Sequence, residues 1–148
     1  MKLIIMRHGQ ASWSSASDFD RVLTFEGREE VSRSAQQLTG HAVDKVLASP
    51  YLRAQQTGRI VADILGCQMD TLESLVPDGH PPDVLATLPD NGSILLASHM
   101  PFVGRLTGLL CEGVMSNQFA FPTASAIILE MELPEVGMAS ITGRVSFS

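Results

Sequence analysis

The sequence predicts a three-layer α/β/α domain built on a largely parallel central sheet. Three observations carry the prediction. Short, solidly apolar runs recur along the chain, as they do in strands buried on both faces. Stretches with helical apolar spacing alternate with those runs, the succession of βαβ units. Charged residues make up 18 % of the 148-residue chain and apolar residues 45 %, which allows a sizeable core in one domain, expected over residues 1–148.

Residues 2–6 (KLIIM) read as the first strand, and residues 12–24, rich in Ser, Asp and Ala, as a loop carrying Trp13 and Phe19. Thr24 is suited to cap a helix over about 25–39, with Val31, Ala35 and Leu38 on one face and Gly40 at its end. Residues 43–48 form a second strand. Ser49 then reads as an N-cap and Pro50 as the first position of a helix that runs to about Leu65 and stops at Gly66. A short strand is expected at 68–71, a loop at 76–84 and a short helix around 82–88. Residues 93–97 (SILLA) are another buried strand, and Pro101 opens a helix to about Leu110. Residues 125–131 and about 139–146 read as two final strands, joined by a turn at 134–137 and able to pair as a hairpin.

The formal net charge of −6 argues against a general nucleic-acid binder. Cys67 and Cys111 show neither metal-ligand spacing nor a disulfide framework. No apolar run is long enough for a signal peptide or a membrane span, so a cytoplasmic protein is expected, with a monomer as the simplest state.

Ligands of parallel sheets gather beyond the carboxyl ends of the strands. Arg7 and His8 follow the first strand, residues 49–53 the second, and Ser98 and His99 the strand at 93–97. Singly, each has an ordinary reading as a structural or solvated side chain. Arg53, in a first helical turn, opposes the helix dipole, and a bound anion would account for it. Together they suit phosphoryl transfer with no metal or cofactor. Two arginines clamp the phosphoryl oxygens, a neutral imidazole attacks phosphorus, and a second imidazole, if charged, stabilises the transferring oxygens. Helices opening at Pro50 and Pro101 would add free N–H groups at the same rim.

The pieces RHG (7–9), SPYLRAQQT (49–57) and SHMP (98–101), together with DRVLTFEG (20–27), resemble the histidine phosphatase superfamily, in particular its small SixA-type phosphohistidine phosphatases. The resemblance implies the phosphoglycerate-mutase-like fold. It implies His8 as the nucleophile that becomes a phosphohistidine, its other ring nitrogen donating to a backbone carbonyl such as that of Gly9. Arg7, Arg53 and His99 would hold the phosphoryl group, and Gly9 would let the backbone turn tightly beside the substrate. Arg21 is expected to face the same pocket or to pair with Asp18 or Asp20. Trp13 is expected on a partner-docking surface or folded over the core edge. Ser49 is read as a cap and Ser98 as a local backbone partner.

The superfamily often carries an acid in its middle segment to protonate an alkoxide. Here that segment is short, and Glu73, Asp78, His80 and Asp83, its titratable groups, are left unassigned. An alcohol leaving group needs an acid, whereas an N-phosphohistidine can leave as neutral imidazole once its leaving nitrogen is protonated, which solvent or the substrate itself can arrange. The implied substrate is therefore a histidine-phosphorylated protein such as a histidine phosphotransfer domain. A small-molecule phosphomonoesterase, a mutase and an inactive phosphate-binding or scaffold protein are the competing readings.

Overall fold

The computed structural model describes residues 1–116 and 118–147. Strands β1 (Lys2–Arg7), β2 (Lys45–Ala48), β3 (Gln68–Thr71), β4 (Ser93–Ser98), β5 (Ala126–Glu130) and β6 (Ser140–Val145) form one six-stranded sheet in the order β3-β2-β4-β1-β5-β6. The first four pair in parallel, while β5 runs antiparallel to β1 and β6 antiparallel to β5. The sheet is therefore mixed, parallel over four strands and closed at one side by the hairpin.

Strand β1 explains why its sequence is apolar throughout. Leu3 and Ile5 point to one face, against Leu96, Phe102, Leu106 and Ile127. Ile4 and Met6 point to the other, against Val31, Ala35, Val61 and Leu95. Each of these four β1 side chains is fully buried. At roughly 1.5–3 kcal/mol apiece, such burial makes the middle layer the main source of stability. Helices α1 (Phe25–Gln36) and α2 (Leu52–Leu65) cover one face; α3 (Pro81–Leu85) and α4 (Phe102–Glu112) cover the other.

Several boundaries move. Thr24 caps α1, accepting the Gly27 N–H at 2.9 Å, but the helix ends at Gln36 and the chain continues through a 3-10 turn at Thr39–His41. Helix α2 begins at Leu52, not at Pro50, and its N-cap Tyr51 supplies no side-chain bond. The Leu52 N–H is instead taken by the Phe19 carbonyl at 3.1 Å, so this N–H of the helix opening is not free for a ligand. Gly66 does close α2, with a left-handed φ of 71° that suits glycine. Helix α3 spans Pro81–Leu85, shorter than expected, and α4 extends to Glu112.

The topology levels three strand ends. Arg7 pairs with Ser98, and Ala48 with Ala97, so β1, β4 and β2 end side by side. Because β5 returns antiparallel, its beginning lies at that same edge, with Met6 opposite Ala126.

Candidate active site

A cavity of about 290 Å³ opens at this edge, lined by Arg7, His8, Arg21, Arg53 and His99, with Trp13, Gln10 and Thr123 at its walls. Three guanidinium groups and two imidazoles, from segments far apart in sequence, thus meet in one place. Among the described residues lining it there is no carboxylate. Glu73, Asp78, His80 and Asp83 are exposed and lie outside its lining.

His8 is 7 % exposed. Its Nδ1 lies 2.7 Å from the Gly9 carbonyl oxygen, which can only accept, so Nδ1 carries the proton. The lone pair is left on Nε2, where Arg53 Nε donates at 3.3 Å. Burial is the main cause that lowers the His8 pKa to about 4; the Gly9 bond resists it, while Arg53, Arg7 and Arg21 add to it. The imidazole is therefore neutral at pH 7, with its free nitrogen among the arginines.

His99 is 1 % exposed, with its ring 5.1 Å from that of His8 and 5.0 Å from that of Tyr51. Burial first, then His8, Arg53, Arg7 and Arg21, lowers its pKa to about 2, so the second imidazole is also neutral here. Its Nε2 meets Ser49 Oγ at 2.8 Å, and the same oxygen accepts the Tyr51 N–H at 3.2 Å. Ser49 is thus the partner of His99 and not the cap of α2. A serine hydroxyl can donate or accept; when it donates to Nε2, the ring proton sits on Nδ1, a buried atom without a partner among the described residues. A neutral ring with Nδ1–H is a donor, which suits an oxyanion. Ser98 turns inward and donates to the Leu75 carbonyl at 2.7 Å.

The arginines are braced from behind. Arg7 Nη1 donates to the Phe121 carbonyl at 2.8 Å, while its buried Nε has no partner among the described residues. Arg53 is 4 % exposed and donates Nη1 to the Asp18 carbonyl at 2.7 Å, with Nη2 3.3 Å from the Asp18 carboxylate. Arg21 reaches the other oxygen of that carboxylate at 3.3 Å and donates Nε to the Ser12 carbonyl at 2.9 Å. Burial acts upward on the Asp18 carboxyl, and the two arginines outweigh it, holding its pKa below the ordinary range. Arg21 therefore both lines the cavity and pairs with Asp18. Its guanidinium also lies 3.6 Å over the Trp13 ring, which stands out at the rim, 82 % exposed.

Gly9 does not line the cavity, contrary to its expected place beside the substrate, and its φ is not positive. Its bareness serves packing. A Cβ there would come within 2.7 Å of both the Gly27 carbonyl and Val31 Cγ2 of α1. Its N–H donates to Thr57 Oγ1 at 3.2 Å, tying the segment to α2.

Sequence reasoning missed Gln10, Tyr51, Thr123 and the Ser49–His99 link. Thr123 precedes β5, and its place at the edge depends on the antiparallel return of that strand; no motif marks it. Tyr51, the only tyrosine of the chain, lay within a motif that drew attention to its arginine. Among the described residues no group of three or more His, Cys, Asp or Glu side chains is placed to hold a metal ion. No helix of the described residues is long and apolar enough to cross a membrane.

Residues 3–76 match the histidine phosphatase superfamily (branch 1). Phosphohistidine phosphatase SixA of Escherichia coli (strain K12) is 37 % identical over 139 residues, covering 88 % of this chain and 86 % of that protein. A SixA homolog of Haemophilus influenzae is 34 % identical over 126 residues, 74 % of this chain and 77 % of its own. The solved structure of the protein histidine phosphatase SixA complexed with tungstate superposes with a TM-score of 0.89 at 34 % identity, over 99 % of this chain and 97 % of that one.

Proposed function

This chain belongs to the histidine phosphatase superfamily, and from that premise we propose that it is a phosphohistidine phosphatase, removing the phosphoryl group from a histidine of another protein. One observation carries the reading. A neutral imidazole with a fixed tautomer faces a cavity rich in guanidinium groups, and none of the described residues lining it is a carboxylate.

In this mechanism His8 Nε2 attacks phosphorus, the bond from phosphorus to the substrate nitrogen breaks, and the electron pair goes to the departing ring, whose other nitrogen carries a proton taken from solvent, so that it leaves as neutral imidazole. Arg7, Arg53 and the His99 Nδ1–H hold the phosphoryl oxygens, spreading the charge that builds in a loose transition state. Arg21 extends the positive wall toward the rim, and Trp13 offers the incoming protein an aromatic surface. Gly9 lets α1 close behind the nucleophile. Water then cleaves the phosphohistidine. Imidazole departs without the acid an alkoxide would require, which favours N-phosphohistidine over a phosphate ester. The partner is a histidine-phosphorylated protein such as a histidine phosphotransfer domain. The two unpaired thiols, Cys67 and Cys111, suit action in the reducing cytoplasm.

The test incubates the protein and its His8→Ala variant with a phosphohistidine-bearing phosphotransfer domain and with a panel of phosphate monoesters, in buffer containing a chelator. Release of inorganic phosphate from the phosphoprotein, lost in His8→Ala, is the expected result. Turnover of monoesters alone would sink the assignment, and so would full activity without the His8 ring.

A further inference from the structure

We propose that Thr123 and Glu30 form a proton-accepting pair that orients the attacking water when the phosphohistidine on His8 is hydrolysed, an inference that rests on the reading above. Thr123 supplies the hydroxyl among the described residues lining the cavity. Its Oγ1 donates to Glu30 Oε1 at 3.2 Å, and the same carboxylate oxygen accepts the Gln10 N–H at 3.2 Å. The carboxylate is half-buried and stands one hydroxyl behind the wall of the cavity. A hydroxyl that gives its proton to a carboxylate keeps its lone pairs for a donor. Phosphoryl oxygens are acceptors, and the guanidinium groups already serve them. A water molecule is a donor, and Thr123 offers it the acceptor that an arginine-rich wall lacks.

The backbone gives a second, independent observation. Ala124, fully buried and not glycine, is held in the left-handed region at φ 59°. Strain of this kind persists where surrounding contacts enforce it. Three of the contacts here run to the nucleophile's own segment. Ala124 N–H donates to the His8 carbonyl at 3.0 Å, Arg7 N–H to the Ser125 carbonyl at 3.0 Å, and Arg7 Nη1 to the Phe121 carbonyl at 2.8 Å. The strained turn therefore fixes Thr123 relative to Arg7 and His8, and Glu30 fixes its hydroxyl from the side of α1.

The step balances as follows. The water oxygen bonds to phosphorus as the phosphorus–Nε2 bond breaks, and its electron pair returns to His8 Nε2. The water proton passes to Thr123 Oγ1 as the Thr123 proton passes to the Glu30 carboxylate, which later releases it to solvent. Inorganic phosphate and the neutral Nδ1–H imidazole remain.

The experiment uses the full chain with a radiolabelled small phosphoramidate and rapid quenching, reading acid-labile label on His8 over time. The wild type labels and clears quickly. In Thr123→Val and Glu30→Gln, labelling stays within about threefold of wild type, while clearance slows on the order of 10²-fold, so phosphoenzyme accumulates. Thr123→Ser restores clearance. Glu30→Gln keeps the oxygen that Gln10 and Thr123 contact, so it reads the pair even if Thr123→Val folds poorly. Unchanged clearance in the variants, or equal slowing of both steps, overturns the pair and leaves the phosphatase reading standing. A wild type that never labels on His8 overturns that reading, and the pair with it.

Discussion

Two histidines with opposite free nitrogens set the chemistry at the scale of single residues. Gly9 leaves His8 with its lone pair on Nε2, and a Ser49 hydroxyl that donates to Nε2 leaves His99 with its proton on Nδ1. In the proposed mechanism one ring is thereby an electron-pair donor to phosphorus and the other a hydrogen-bond donor to its oxygens. Removing the Ser49 hydroxyl should release the second assignment. Ser49→Ala is expected to lower kcat/KM about tenfold, the worth of one hydrogen bond. Nitrogen-15 spectra of the His99 ring should show a mixture of tautomers; an unaltered Nδ1–H form would show that Ser49 does not set it. Arg7, His8 and His99 were legible in the sequence because each lies at or just beyond the end of a short apolar strand, and Arg53 because it opens the helix that follows another. Ser49 was misread because its side chain has two local uses, and the choice between them is made by a ring 50 positions away. Thr123 carried no local signal at all.

At the scale of elements, the site depends on how closely α1 is packed. The chain crosses from Gly9 to Gln10 directly beneath Gly27, and a Cβ on either glycine would meet backbone of the other segment. Gly9→Ala would force a methyl against the Gly27 carbonyl and Val31, neither of which is the flexible end of a long side chain. A loss of roughly 1–3 kcal/mol is expected, the usual cost of overpacking. Because the displaced segment holds the Nδ1 partner of His8, activity should fall by more than the folded fraction does. Urea melts beside a rate measured on the folded fraction would check both parts, and proportional losses would refute the coupling. The helices themselves were mostly legible from apolar spacing, with Thr24 and Gly66 marking a start and a stop. The opening of α2 was not, because the helix starts only at Leu52, whose N–H is taken by a carbonyl from the distant loop at Phe19.

Over the whole molecule, burying two imidazoles beside three arginines makes acid costly. Unfolded histidines protonate as pH falls through about 6.5, whereas folded His8 waits until about 4 and His99 until about 2. Between those limits the unfolded chain binds more protons, so stability rises with pH and is lost on acidification from 6.5 downward. Each histidine should remove roughly 1–2 kcal/mol between pH 6.5 and 5. Comparing urea midpoints at pH 7 and 5 should show a smaller acid loss in His99→Gln than in the wild type. An equal loss would mean that His99 titrates ordinarily in the native protein. The layered architecture was legible because strands buried on both faces must be apolar throughout. The convergence of the strand ends was only conditional in the sequence, since strand order is a property of the assembled sheet.

The loop over residues 12–20 carries the exposed Trp13, yet it also lends Asp18 to Arg53 and the Phe19 carbonyl to α2. If Trp13 greets the partner as proposed, recognition and phosphate grip are written on one short stretch of chain. A lineage that altered this stretch to greet a new partner would retune its anion clamp in the same event. Partner choice and catalytic strength are inherited together here, and drift in one is restrained by selection on the other.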